Sequence, residues 1–212
     1  KDPLEVRRIN YYGRDGRDVT PYGMKVEDNI LERLTDELVR SASYQERREA
    51  VAKFNTGSEI LKKGLALTPV KFGISFTATH LNQAGALLHV YLDGSVLLNH
   101  GGTEMGQGLH TKVAQVVAVE LQIDIARIRC TATDTSKVPN TSATAASSSS
   151  DLNGKAAEAA ARTIKTRLIE FAAVKYGVSE QAVQFKDGQV RVGDKTTLTF
   201  ADYVLLVARA VG

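Results

Sequence analysis

Four glycines occur within eight residues of one short stretch, from Gly101 to Gly108, which has almost no aliphatic side chains. A run of β-forming residues precedes it, and a segment with apolar residues at helical spacing follows it. A strand, a glycine-rich loop and a helix start in this order allow backbone N–H groups to face an anion without an intervening Cβ atom. The same pattern is typical of a tight strand-to-helix turn in which two or three glycines adopt positive φ.

The loop does not match the common nucleotide-binding motifs. Gly101 and Gly106 have the spacing of a P-loop, but Gln107 stands where that motif needs its phosphate-binding lysine. No serine or threonine follows to hold magnesium, and the dinucleotide-binding fingerprint does not fit in register. The pattern therefore disfavours an NTPase.

A second polar stretch, residues 144–151, also opens a predicted helix. Its four consecutive serines exceed the single residue that an N-cap requires, so the remaining hydroxyls and first-turn N–H groups suit phosphate oxygens. Asp151 opposes an anion unless it faces outward, and a flexible polar loop is the alternative. Two such helix starts in one unit suggest a single extended ligand, such as a pyrophosphate with groups at both ends.

The pattern predicts a mixed α/β (α+β) fold: a β-hairpin–helix–strand–helix unit with a mixed sheet, preceded by a helical N-terminal segment. We expect two regions, a helical segment at 1–64 and an α/β subdomain at 65–212. Ser43 and Glu46 form a candidate capping box. The predicted strands are 65–70, 72–78, 86–92, 95–98, 126–132, 183–185 and 189–192. The main predicted helices are 27–40, 109–121, 151–173, ending at Gly177, and 203–212.

Composition excludes several classes of function. The net charge is only +3, without a basic stripe, and aromatic residues make up 6% of the chain, so nucleic-acid binding has little support. No apolar run is long enough to span a bilayer. The single Cys130 fits a reducing, cytoplasmic compartment and is expected to be a small half-buried residue. The four histidines show no helical pairing and no cysteine cluster, so no metal site is predicted.

Four segments together resemble the molybdenum subunit of the xanthine dehydrogenase family, which includes xanthine oxidase and the aldehyde oxidases. The resemblance covers about residues 1–175 and is closer to the xanthine dehydrogenases. It implies a molybdopterin cofactor held through its dithiolene and phosphate groups, without a protein ligand to the metal. The matching segments are Phe72–Thr77, Leu81–Ala86, Gly101–Lys112 and Asn140–Ser147.

The resemblance also implies roles for individual residues. Hypoxanthine and xanthine would be hydroxylated to urate with oxygen from water, and electrons would pass to 2Fe-2S clusters and FAD located elsewhere. The implied substrate-binding residues are Phe76, Thr77, Ala145 and Ala146. The implied cofactor-binding residues are Met105, Gly106, Gln107, Ala146, Ser147 and Ser149.

Departures from the family pattern limit what this chain can do. The catalytic glutamate of the family lies in a Gly-Val-Gly-Glu-Pro-Pro motif, which does not occur here. We therefore expect an internal fragment that has no catalytic base and is inactive by itself. Its expected partners are a purine, the rest of the molybdenum subunit and an iron–sulfur/flavin subunit or domain. The alternative is a non-catalytic phosphate-binding or protein-interaction module with the same fold.

Overall fold

The structure is a computed structural model that describes residues 2–13, 16–70, 72–74, 76, 78–131, 133–137 and 140–211. The chain folds into two compact units, which meet in sequence between Phe72 and Gly73. The division at residue 64 that the sequence suggests remains a prediction. No described helix combines the length and the apolar character that crossing a bilayer requires.

The first unit contains three helices, α1 (Pro3–Ile9), α2 (Leu31–Ser41) and α3 (Tyr44–Gly57). Leu4, Tyr44 and Leu67 form its small buried core. The strand predicted at 65–70 is wrong, because this segment pairs with no strand in the described part of the chain and Leu67 packs into that core instead.

The predicted capping box at the start of α3 is also wrong. Only Ala42 and Ser43 separate α2 from α3. The short connection forces Ser43 to a φ of +47°, and its side chain makes no capping hydrogen bond.

The second unit begins with the sheet that positions the glycine-rich loop. Strands β1 (Ala86–Val90) and β2 (Val96–His100) form the predicted antiparallel hairpin, and Gly94 in its turn has a φ of +76°. β3 (Ile128–Cys130) pairs with β2 in parallel and is shorter than predicted, because residues 125–127 form a 3-10 turn. The short strand predicted at 72–78 is absent from the described residues of that range.

Two helices cover this sheet, as predicted. α4 (Leu109–Leu121) has the predicted bounds, and α5 (Ser149–Tyr176) ends at Gly177, whose φ of +63° matches a left-handed C-cap. Val117 of α4 and the alanines Ala157 and Ala161 of α5 are fully buried. Small side chains let the two helices approach closely.

A second sheet and a last helix complete the unit. β4 (Val183–Lys186) and β5 (Gln189–Val192) form the second predicted hairpin, and β6 (Thr196–Thr199), which the sequence analysis does not predict, adds a third antiparallel strand. α6 (Phe200–Val211) follows directly. Its buried Tyr203 shares one apolar core with α4, α5 and both sheets.

Candidate functional site

The glycine-rich loop between β2 and α4 is held by the carboxylate of Glu104. Glu104 Oε1 accepts hydrogen bonds from the backbone N–H groups of Gly106 (2.8 Å) and Gly108 (3.0 Å), and Oε2 accepts one from His110 (3.0 Å). The bond from His110, followed by that from Gly108, lowers the pKa of Glu104 to about 2. These three N–H groups are engaged within the chain, which favours the tight-turn interpretation of this loop over the anion-binding one.

Gln107 also stabilises this loop through hydrogen bonds to its backbone. Its Oε1 accepts a 2.6 Å hydrogen bond from the N–H of Met105, and its Nε2 donates a 2.9 Å bond to the carbonyl of Thr103. Gly106 and Gly108 have φ values of +98° and +77°, which favour glycine. The loop is therefore fixed before any ligand arrives, while the side chain of Met105 stays 67% exposed.

The second polar loop, residues 144–148, leads into α5 with an uncommon backbone. Ala146 and Ser147 have consecutive positive φ values of +52° and +53°, although neither is glycine. Such non-glycine outliers cluster at functional sites. Ser148 is the N-cap of α5, but its side chain accepts no hydrogen bond from the backbone N–H groups in the first turn of the helix. The positive end of the helix dipole thus faces this loop.

The two loops border one cavity of about 410 Å³. Lys112, one turn into α4, carries the one positive charge among the described residues that line it. Most of the cofactor residues implied by the family resemblance line this cavity, but Gly106 does not. The lining residues are Met105, Gln107, Leu109, Lys112, Thr144, Ala145, Ala146, Ser147, Ser149 and Ser150.

Three further residues, Lys112, Leu109 and Thr144, line the cavity although the sequence does not predict them as site residues. The signal for Lys112 is available in the sequence, because a lysine in the first turn of the helix after the glycines can reach the same side as the loop. Ser150 belongs to the run of four serines, and the positive φ values of Ala146 and Ser147 shape the backbone that leads to it.

Among the substrate-binding residues that the resemblance implies, those that the structure describes lie in two different places. Phe76 does not line the cavity; its ring-bearing side chain is 48% exposed, and its carbonyl accepts a 2.9 Å hydrogen bond from Asn82 Nδ2. Thr77 lies outside the described residues. Ala145 and Ala146 line the cavity, so the structure brings them to the predicted cofactor residues.

Residues 37–211 match the family model described as "Molybdopterin cofactor-binding domain". Among the relatives, the xanthine dehydrogenase/oxidase of Mus musculus is 54% identical over 79% of this chain, and that of Gallus gallus is 52% identical over 78%. The chain spans 12% of the length of each of these relatives. Quinoline 2-oxidoreductase from Pseudomonas putida 86 has the same fold, with a TM-score of 0.80 over 99% of this chain and 28% of that one, at 18% identity.

Proposed function

The chain belongs to the molybdopterin cofactor-binding domain family, and from this premise we propose that the cavity beside Lys112 receives the phosphate-bearing end of the cofactor. A volume of about 410 Å³ is within the usual range for small-molecule sites. The uncapped start of α5 and the ammonium group of Lys112 offer positive charge on two sides of it. This convergence of charge on one cavity is the observation that carries the proposal.

The residues that line the cavity have different roles in this proposal. Lys112 neutralises an anion, and the hydroxyl groups of Ser147, Ser149 and Ser150 donate hydrogen bonds to its oxygens. The glycine-rich loop, held by Glu104, supplies a rigid wall, since several of its N–H groups are already engaged. When bound, the cofactor supplies the redox chemistry of its molybdenum centre.

The proposed activity of the whole protein is the hydroxylation of hypoxanthine and xanthine to urate with oxygen from water. The two xanthine dehydrogenase/oxidase relatives support this proposal. In it, Phe76 and Thr77 are the substrate-binding residues, and the half-exposed side chain of Phe76 is available for contact with a purine. The remainder of a molybdenum subunit, 2Fe-2S clusters and FAD are the proposed partners, and the single cysteine favours a cytoplasmic location.

The cofactor assignment is tested by Lys112→Gln in the protein that carries this chain. We expect cofactor affinity to fall about 10- to 100-fold, because a charge-assisted hydrogen bond is worth roughly 1.5–3 kcal/mol. Molybdenum per protomer and released pterin measure the loss. Lys155→Gln is the matched control, because Lys155 is exposed on α5, pairs with Glu158 and does not line the cavity. Normal cofactor content and affinity in Lys112→Gln would contradict the assignment.

The substrate assignment needs a separate experiment. Phe76→Ala should leave molybdenum content normal and lower kcat/KM for xanthine by up to about 100-fold, because it loosens substrate positioning. Phe72→Ala, which removes another exposed phenylalanine from the same segment, is the control. Loss of molybdenum in Phe76→Ala would assign this residue to the cofactor instead.

A further inference from the structure

His100, His110 and Cys130 come together where three elements of the second unit meet. His100 ends β2, His110 lies in the first turn of α4, and Cys130 ends β3. Parallel pairing places Cys130 opposite Leu98, two residues from His100. One potential ligand atom from each of the three side chains lies within 4.8 Å of the other two. The expectation that the histidines have no cysteine partner is therefore wrong, because strand pairing joins distant parts of the sequence.

Two imidazole nitrogens of this cluster have no hydrogen-bond partner among the residues that the structure describes. The Nε2 atoms of His100 and His110 are both buried, and His100 as a whole is only 1% exposed. Their rings meet edge to face, with centroids 5.2 Å apart. Buried polar atoms in folded proteins are almost always paired, so two unpaired nitrogens in one place need a partner that the described residues do not supply.

We propose that His100, His110 and Cys130 form a binding site for a thiophilic divalent cation, of which Zn²⁺ is the representative. Two imidazole nitrogens and one thiolate are a donor set that zinc prefers, and they leave one position of a tetrahedron open. Zinc bonds of about 2.0–2.3 Å require the donor atoms to approach to roughly 3.5 Å. Cys130 is the last residue of the edge strand β3, so the adjustment falls at the end of a strand that is paired on one side only.

Cation binding must displace two protons in the cluster. His100 Nδ1 accepts a 3.1 Å hydrogen bond from the N–H of Gly102, so the proton of the neutral ring is on Nε2. Coordination through Nε2 moves that proton to Nδ1 and breaks this one long bond, which is much weaker than a zinc–ligand bond. The Cys130 thiol loses its proton to solvent as the S–Zn bond forms. Burial and the nearby carboxylate of Glu104 raise the pKa of the Cys130 thiol to about 11, so the thiolate forms only together with cation binding.

The site does not depend on the proposed cofactor function, because none of its three residues lines the 410 Å³ cavity. The test uses the protein that carries this chain, which is loaded with Zn²⁺ and dialysed before zinc per protomer is measured. The variants Cys130→Ala and His110→Gln each remove one proposed ligand. The matched control is His89→Ala, because His89 is an exposed histidine on β1 of the same sheet.

We expect the unaltered protein to retain about one zinc ion more per protomer than either ligand variant. Its affinity for zinc should be at least about tenfold higher than theirs. His89→Ala should bind like the unaltered protein. Zinc should also slow the alkylation of Cys130 in the unaltered protein, a measurement that needs no variant to fold. Equal zinc retention by the protein and both ligand variants, or alkylation of Cys130 at the same rate with and without zinc, would overturn the proposal.

Discussion

The Oγ1 atom of Thr144 accepts a 2.8 Å hydrogen bond from the backbone N–H of Thr103. This bond links the two polar loops across 41 residues of sequence. Because one loop carries Gln107 and the other Ser147, the link sets the width of the cavity between them.

Replacing Thr144 with valine should therefore weaken cofactor binding. Valine keeps the shape of threonine but has no acceptor for the N–H of Thr103, so the loops separate more easily. We expect the affinity for the cofactor to fall about fivefold, which corresponds to one hydrogen bond of roughly 1 kcal/mol. Titration of the cofactor into the apo protein measures this. Thr144→Ser keeps the oxygen and should bind the cofactor like the unaltered protein; weakening by Thr144→Ser as large as that by Thr144→Val would contradict the role of this hydrogen bond.

Local sequence patterns predicted the elements whose signals lie within a few residues. Apolar residues at helical spacing gave α4 its correct bounds, and Gly177 marked the end of α5. The Asp93–Gly94 turn gave the first hairpin. Strand β6, by contrast, has three threonines and a single apolar residue, Leu198, which is too weak a pattern to predict a strand, and it pairs with the edge of β5.

The parts of the site that could not be predicted depend on contacts between distant residues. Glu104, by contrast, is the one carboxylate in the stretch 101–108, which predicts a hydrogen bond that shapes the loop, and it accepts three such bonds from backbone N–H groups within six residues. Cys130 comes beside His100 only through the parallel register of β3 with β2. Leu65–Val70 had the composition of a strand, but composition does not supply a partner strand.

Glu104→Gln should loosen the glycine-rich loop without unfolding the second unit. The amide group has one acceptor oxygen and no charge, so it cannot replace all three bonds to Gly106, Gly108 and His110. We expect backbone hydrogen exchange over residues 106–110 to accelerate about tenfold. Glu170→Gln, at an exposed position on α5, is the control. Unchanged exchange in Glu104→Gln would mean that the loop holds its shape without the carboxylate.

Two glycines of the loop should respond differently to alanine. A Cβ atom at Gly102 would lie 2.6 Å from Leu109 Cδ2 and 2.9 Å from Asn153 Nδ2, both in buried side chains. Gly102→Ala should therefore destabilise the second unit by about 1–3 kcal/mol. A Cβ atom at Gly106 would meet nothing within 4 Å, but the φ of +98° strains any other residue.

Gly106→Ala should consequently lower the free energy of unfolding by less, about 1 kcal/mol, and its main effect should be on the shape of the glycine-rich loop. Thermal unfolding and molybdenum content, measured on both variants, separate the two effects. A larger loss of stability in Gly106→Ala than in Gly102→Ala would contradict the packing that the structure shows around these positions.

Tyr203→Phe should destabilise the shared core and change its response to alkaline pH. The Tyr203 hydroxyl donates a 2.6 Å hydrogen bond to the carbonyl of Leu168, so its loss should lower the free energy of unfolding by about 1 kcal/mol. Burial raises the pKa of Tyr203 to about 12, above its ordinary value of 10. The stabilisation that comes from the neutral Tyr203 hydroxyl is therefore complete below pH 10. It is lost as the pH rises towards 12, because in this range the hydroxyl ionises in the unfolded chain but not in the folded one.

The phenylalanine variant has no such proton to lose, so the stability difference between it and the unaltered chain should shrink as the pH rises above 10. Urea unfolding at a series of alkaline pH values measures the difference directly. Tyr91→Phe, at a half-exposed position, should change stability by no more than about 0.5 kcal/mol at any of them. A difference for Tyr203→Phe that stays constant above pH 10 would show that the buried hydroxyl ionises as readily in the folded chain as in the unfolded one.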